Sequence, residues 1–288
     1  MRIDEILRKK RALSFEVFPP KKGDSGMEEI CRAIDRLRLL KPDFISVTYG
    51  AGGTNVGSAA EIAGYIRSIG TEPLAHITGG PSTPESVDAA TMRLKDLGVE
   101  NILALRGDRP LEYSGEYCRY FRHATDLISY IKGDFCIGAA CYPEGHSECS
   151  TLREDIVSLK KKQDCGAKFL ISQIFYDNSY YYRLLHEARR YGVMVPIIPG
   201  IMPLTSAKNI AKIKSMCGST IPLDFRNMIE NYSGNSSVMR EIGINYTVYQ
   251  IIDLIAKGAP GIHLCIMNRA DTAEEIHGRL RCLFDELF

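Results

Sequence analysis

The sequence contains no C-x-x-C pair, no apolar run of 18 residues, no excess of either charge and no G-x-G-x-x-G after its first candidate strand. Each absence excludes something. With 36 Lys and Arg against 35 Asp and Glu, the chain has no electrostatic footprint for nucleic acid or an anionic membrane. The missing apolar run excludes a membrane-spanning helix, and the first residues, MRIDEILRKKRALSFEV, lack the apolar core of a signal peptide. A soluble, cytoplasmic protein is therefore expected. The nine cysteines are scattered and odd in number, which argues against a closed disulfide framework. Cys136, Cys141 and Cys149 follow one another at spacings of five and eight, which match no zinc pattern. These thiols are expected to be packing residues of a reducing compartment, with no bound metal.

What is present is alternation. Short apolar runs, at 13–18, 43–49, 73–77, 101–105, 136–141, 168–172, 194–198 and 261–266, alternate with longer segments of helical period. Met27, Ile30, Ile34 and Leu37 recur at helical spacing, as do Val87, Ala90, Leu94 and Leu97. Thr83 before Pro84 reads as an N-cap with proline at the first helical position, and Asp271 with Glu274 reads as an Asp form of the capping box. Eight βα units in 288 residues, 45% of them hydrophobic, predict an α/β fold of the (β/α)8 TIM-barrel type over residues 1–288 as one domain. An open Rossmann sheet would want the missing glycine fingerprint. The segment from Asn227 to Gly258, between strands seven and eight, is longer than one connection needs and predicts an extra helix followed by a long one.

In such a barrel, function gathers at the carboxyl ends of the strands. The sequence turns polar there. Strand one carries Glu16; strand two ends in Thr48, Tyr49 and Gly50 to Gly53; strand three in His76; strand four breaks from Ile102-Leu103-Ala104-Leu105 into Arg106-Gly107-Asp108. Strand five leads to Tyr142, Glu144 and His146, strand six to Gln173, strand seven to Pro199-Gly200 and strand eight to Asn268-Arg269. A single polar turn of this kind is an ordinary solvated loop. Repeated on seven of eight strands, it points to a bound polar ligand, because buried polar groups must find partners.

The ordered set "SFEVFPPK", "ISVTYGAGG", "LAHIT", "LALRGD", "AACYPEGH", "SQIFYD" and "IMNRAD" resembles the methylenetetrahydrofolate reductases, flavin-dependent barrel enzymes of one-carbon metabolism. The match runs in order from about residue 13 to 270. The resemblance implies that Glu16 is the general acid and that Asp108 lies near both pterin and flavin. It implies that Thr48, Tyr49, Ala51, His76, Arg106, Gly107, Asp108, Ala124, Tyr142, His146, Asp155 and Lys162 hold FAD. Gln173 and Arg269 fall on positions that contact the folate or the nicotinamide donor. Electrons are expected from NADH, NADPH or a partner electron-transfer protein, and the chain is expected to form a homo-oligomer or a complex with a second subunit. Two positions depart from the family: Ile213 stands where bacterial members often carry a stacking aromatic, and Cys265 replaces a tyrosine near strand eight.

The residue types suit that chemistry. A methylene bridge between two folate nitrogens resists hydride until one nitrogen is protonated and leaves, giving an iminium cation. Glu16 supplies that proton if burial raises its pKa, Asp108 stabilises the developing positive charge, and Arg106 and Lys162 suit a pyrophosphate. Other readings stay open at this point. One is a flavin barrel oxidoreductase resembling proline dehydrogenase, which needs no ring-opening acid. Another is a flavin-free pterin-binding barrel that transfers a methyl group to a corrinoid protein. A third is a non-catalytic barrel serving as a scaffold.

Overall fold

The computed structural model describes residues 1–20, 24–49, 56–107, 117–131, 133–206, 210 and 218–288. Nine parallel strands alternate with helices: β1 (Ala12–Val17), β2 (Phe44–Val47), β3 (Glu72–Thr78), β4 (Asn101–Leu105), β5 (Cys136–Cys141), β6 (Phe169–Ser172), β7 (Ile197–Ile198), β8 (Gly200–Ile201) and β9 (Gly261–Cys265). Their order in the sheet is β7-β6-β5-β4-β3-β2-β1-β9-β8. The two ends of that order, β7 and β8, are consecutive in the chain and separated only by Pro199. Ile197 and Ile198 pair with β6, while Gly200 and Ile201 pair with β9. The seventh strand of an α/β TIM barrel is thus split at a proline, and it passes from one neighbour to the other to complete the ring.

The seventh strand is shorter than the apolar run 194–198 suggests. Pro196 has no N–H to give a ladder, and the N–H groups of Met194 and Val195 go to Gln163 Oε1 at 2.6 and 3.1 Å instead. Gly200 is required at the split: a Cβ there would stand 2.2 Å from the Ser172 carbonyl oxygen.

Eleven helices are described: α1 (Ile3–Lys9), α2 (Asp24–Arg38), α3 (Val56–Ser68), α4 (Pro84–Asp96), α5 (Ala124–Tyr130), α6 (Leu152–Asp164), α7 (Asn178–Arg190), α8 (Leu223–Tyr232), α9 (Ser236–Ala256), α10 (Ala270–Arg279) and α11 (Arg281–Leu287). Both α8 and α9 lie between β8 and β9. At α4 the cap is the one the sequence signals: Thr83 Oγ1 accepts from Ser86 N, and Ser86 Oγ accepts from Thr83 N. At α10 the expected cap fails, because the helix begins at Ala270 with Arg269 as N-cap and no side-chain capping bond. Asp271 falls inside the first turn and pairs with Arg240 at 3.1 Å. Glu274 takes Arg36 of α2 through two bonds of 2.8 and 2.6 Å, tying the last helices to the first.

The core has two main layers. Strand faces and helices pack Phe15, Ile45, Ile62, Ile102, Leu170, Tyr181 and Leu254 into one continuous cluster. Inside the barrel, Ala12, Phe44, Leu74, Leu103, Cys136, Phe169 and Ile198 make a second cluster with Ile3 and Ile6 of α1. This apolar plug fills the amino-terminal part of the ring, so the polar residues further along the same strands gather toward the carboxyl end. No disulfide links the described cysteines. Burial pushes the pKa of Cys136 up to about 12 and that of Cys141 higher still.

The close backbone approach at Gly200 makes a test of the seam. Replacing it with alanine forces a Cβ against the Ser172 carbonyl, an atom that cannot swing away. Gly200→Ala is expected to lower unfolding stability by about 1–3 kcal/mol or more, read from the midpoint of urea unfolding at constant slope.

Candidate active site

Glu16 is placed by register. On β1, Ser14 and Glu16 lie two apart and share a face; on β9, His263 and Cys265 do the same. Parallel pairing sets Ser14 against His263 and Glu16 against Cys265. The Glu16 side chain is 15% exposed, and its Oε2 lies 3.6 Å from His263 Nε2 and 3.7 Å from His76 Nε2. Both separations are longer than a hydrogen bond. His263 is buried, its Nδ1 2.8 Å from Ser14 Oγ and its Nε2 3.4 Å from Ser46 Oγ. Sequence reasoning missed His263, Ser14 and Ser46. The alternation of "GIHLC", with Gly261, His263 and Cys265 on one face, carried the signal.

The electrostatics are a contest. Burial pushes the Glu16 pKa up more than any other single influence, but His263, His76 and Cys265 together pull it below the ordinary carboxylate value. The rise expected from burial is therefore not met here, because the carboxyl sits among histidines rather than in an apolar pocket. Burial holds His76 down to about 4 against the smaller pull of Glu16. At neutral pH His76 is uncharged, so its approach to Glu16 is not an ion pair.

His76 lies within β3, two residues before its end at Thr78, rather than at the strand's tip. His76 Nε2 and Thr78 Oγ1 are buried without a hydrogen-bond partner among the described residues. Two orphaned polar atoms on one strand face are a place where a polar ligand would be satisfied. Beyond β4, Gly107 adopts φ +81°, and a Cβ there would meet Tyr117 Oη at 2.9 Å.

A second group surrounds β4, β5 and α6. Arg106 donates twice to Glu148, at 2.5 and 2.7 Å. Glu148 N donates to His146 Nδ1 at 3.1 Å, His146 N donates to Asp155 Oδ2 at 3.2 Å, and the His146 ring meets Tyr142 edge-on at 4.6 Å. Lys162 is buried, donates to the Ala140 carbonyl at 2.8 Å, and lies 5.9 Å from the centre of the Tyr142 ring. Burial pushes Lys162 down and Asp155 up, and each opposes the other's shift by its charge. The structure thus brings Arg106, Tyr142, His146, Asp155 and Lys162 together. Tyr49 is buried, which raises its pKa, and Thr48 donates its N–H to Val17 O at 3.1 Å. Ala124 opens α5.

Other expected positions are engaged locally. Gln173 Oε1 accepts from Ile174 N at 2.8 Å. Arg269 donates to Thr205 Oγ1 at 3.0 Å and approaches Asp271 at 3.6 Å. Glu144 accepts from Thr220 N, and Asn268, at φ 62°, bonds both backbone groups of Phe18. Ala51, Gly50, Gly52, Gly53, Asp108 and Ile213 lie outside the described residues.

Comparison with known proteins places the chain in a lineage. The model of the family described as methylenetetrahydrofolate reductase matches residues 2–281. The chain belongs to the methylenetetrahydrofolate reductase family. It is 34% identical over 271 residues to 5,10-methylenetetrahydrofolate reductase of Escherichia coli strain K12, covering 92% of this chain and 88% of that one. It is also 34% identical over 288 residues to methylenetetrahydrofolate reductase 1 of Schizosaccharomyces pombe, covering 97% of this chain and 47% of that one. The chain spans about half the length of the yeast and plant relatives it matches. Among solved structures, an uncharacterised protein from Clostridium thermocellum that binds two copies of 5-methyl-5,6,7,8-tetrahydrofolic acid superposes with a TM-score of 0.67 at 17% identity, over 98% of this chain and 99% of that one. That likeness is one of fold.

The neutral, buried His76 generates a pH prediction. Between pH about 6.5 and about 4 the unfolded chain binds a proton that the folded chain refuses, so stability falls as pH drops through that window. The shift corresponds to about 3 kcal/mol at most. His76→Gln removes the titration, and urea unfolding across this range is expected to show a shallower loss in the variant than in the parent.

Proposed function

We propose that this chain reduces 5,10-methylenetetrahydrofolate to 5-methyltetrahydrofolate, with Glu16 as the general acid and FAD as cofactor. The observation that carries this reading is the largely buried Glu16, set on the inner face of the barrel against His263 and His76, in a chain of this family. A flavin-free methyl-transfer barrel has no use for an acid that opens a ring, and a proline dehydrogenase-like enzyme has none either.

Glu16 supplies the proton on which ring opening depends. Protonating one nitrogen of the imidazolidine ring breaks its bond to the bridging carbon and leaves an iminium cation on the substrate. At neutral pH His76 carries no charge, so the pull it would exert on Glu16 is absent. A ligand seated over Glu16 excludes the water that still reaches it and moves its pKa upward. Asp108 is assigned the stabilisation of the developing cation, and Gln173 and Arg269 the orientation of the folate or the nicotinamide donor.

When bound, FAD supplies a two-electron centre able to give hydride to the iminium carbon. The orphaned His76 Nε2 and Thr78 Oγ1 fit such a group. Tyr49, Arg106, Tyr142, His146, Asp155 and Lys162 would hold it with Thr48, Ala51 and Ala124. Arg106 already makes a bidentate bond to the exposed carboxylate of Glu148, and a pyrophosphate offers it the same fork-like partner. Electrons come from NADH, NADPH or a partner protein. The reading extends to one barrel domain over residues 1–288, acting in the cytoplasm as a homo-oligomer or with a second subunit. Among the described residues, no helix is long and apolar enough to cross a membrane.

Two measurements test this. The purified protein is expected to release FAD on heating, and Arg106→Ala to retain less of it at unchanged folded stability; equal flavin content would remove Arg106 from the site. With the flavin reduced chemically, its reoxidation by methylenetetrahydrofolate in Glu16→Gln is expected to slow by about 10²- to 10⁴-fold. A loss smaller than about tenfold makes Glu16 structural.

A further inference from the structure

Cys265 is the departure from the family that the proposed reaction leaves without a task. It stands on β9 directly opposite Glu16 of β1, two residues after His263 and on the same face. Cys265 Sγ, a ring nitrogen of His263 and a Glu16 carboxylate oxygen all lie within 4.8 Å of one another.

Ser14 Oγ lies 3.3 Å from the Ile262 carbonyl and 2.8 Å from His263 Nδ1, so it holds one edge of the ring. The other edge, at Nε2, faces Glu16 Oε2 at 3.6 Å and Ser46 Oγ at 3.4 Å. An imidazole, a carboxylate and a thiol thus converge on one point, and each can give a lone pair to a cation. The 3.6 Å between His263 Nε2 and Glu16 Oε2 is near the edge of about 3.4 Å that two ligands span in tetrahedral zinc coordination with bonds of about 2.0–2.1 Å.

We propose that Glu16, His263 and Cys265 form a binding site for a thiophilic divalent cation of the zinc class. One thiolate, one imidazole and one carboxylate balance a divalent charge, and the set selects zinc over magnesium or calcium by the softness of its sulfur and nitrogen. Three protein donors leave a fourth position for water. Binding displaces the thiol proton of Cys265, and that of Glu16 when it is present, into solvent. Ser14 is the outer partner that fixes the ring, the usual support of a metal-bound histidine. A cation here occupies the place of the catalytic proton and opposes the folate reaction; this consequence, unlike the binding itself, rests on Glu16 being the acid.

The test uses the purified protein with whatever cofactor it retains, titrated anaerobically with Co²⁺ alone. The expected result is about one equivalent bound, with the visible d–d bands of a tetrahedral thiolate site, bleached by added Zn²⁺. Cys265→Ser is expected to abolish the thiolate bands. Ser14→Ala, which touches no donor atom, is expected to weaken binding by about 10- to 100-fold. No tetrahedral bands even at a large excess of cobalt, or bands unchanged in Cys265→Ser, overturns the site. Inhibition of flavin reoxidation by Zn²⁺, reversed by a chelator, extends it to catalysis. Bands without inhibition uphold the site and count against Glu16 as the acid.

Discussion

The parallel register between β1 and β9 is the constraint on which the rest of this molecule depends. Five consecutive residues pair, from Ala12 with Gly261 to Glu16 with Cys265, and each pair fixes what stands on the inner face of the ring. The register is held tightly at its start, where a Cβ on Gly261 would lie 2.3 Å from the Ala12 carbonyl oxygen. At the other edge of β9, His263 N donates to the Pro199 carbonyl at 3.0 Å, so the split seventh strand is anchored at the residue that also faces Glu16. A slip of one residue in either strand would turn its own pair, Ser14 and Glu16 or His263 and Cys265, away from the interior and from the other pair.

From that register the interior divides along its length. The lower half is an apolar plug closed by Ile3 and Ile6 of α1. The upper half holds Ser14, Ser46, His76, His263 and Glu16, groups that water alone could not satisfy at this burial. The influence of burial shows at two of them. His76 resists its charge down to about 4, and Glu16 is pulled downward by its neighbours against a burial that pushes it upward. Such a site is poised rather than satisfied, and small changes in hydration decide where its proton resides.

Much of this was legible along the chain. The eight apolar runs, the caps on helices such as α4, and the polar turns after strands four and five are local signals, and local signals survive in a sequence read one window at a time. Cap positions were less secure: Asp271 has the right type for an N-cap, yet α10 starts one residue ahead of it, because Arg269 and Asn268 complete the turn out of β9. His76 was read at a strand tip although β3 runs two residues beyond it.

By itself the sequence determined the (β/α)8 architecture, the order of the polar segments and the kinship they carry, since each rests on period, composition and residue type within a few positions. It determined that Glu16 stands on the first strand. Only the tertiary structure decided what Glu16 meets there. His263 and Cys265 lie more than two hundred residues further along the chain, and nothing local to either segment states their register against β1. That register is set when the last strand closes the ring, and with it come the histidine that faces Glu16 and the thiol that completes a set of metal donors.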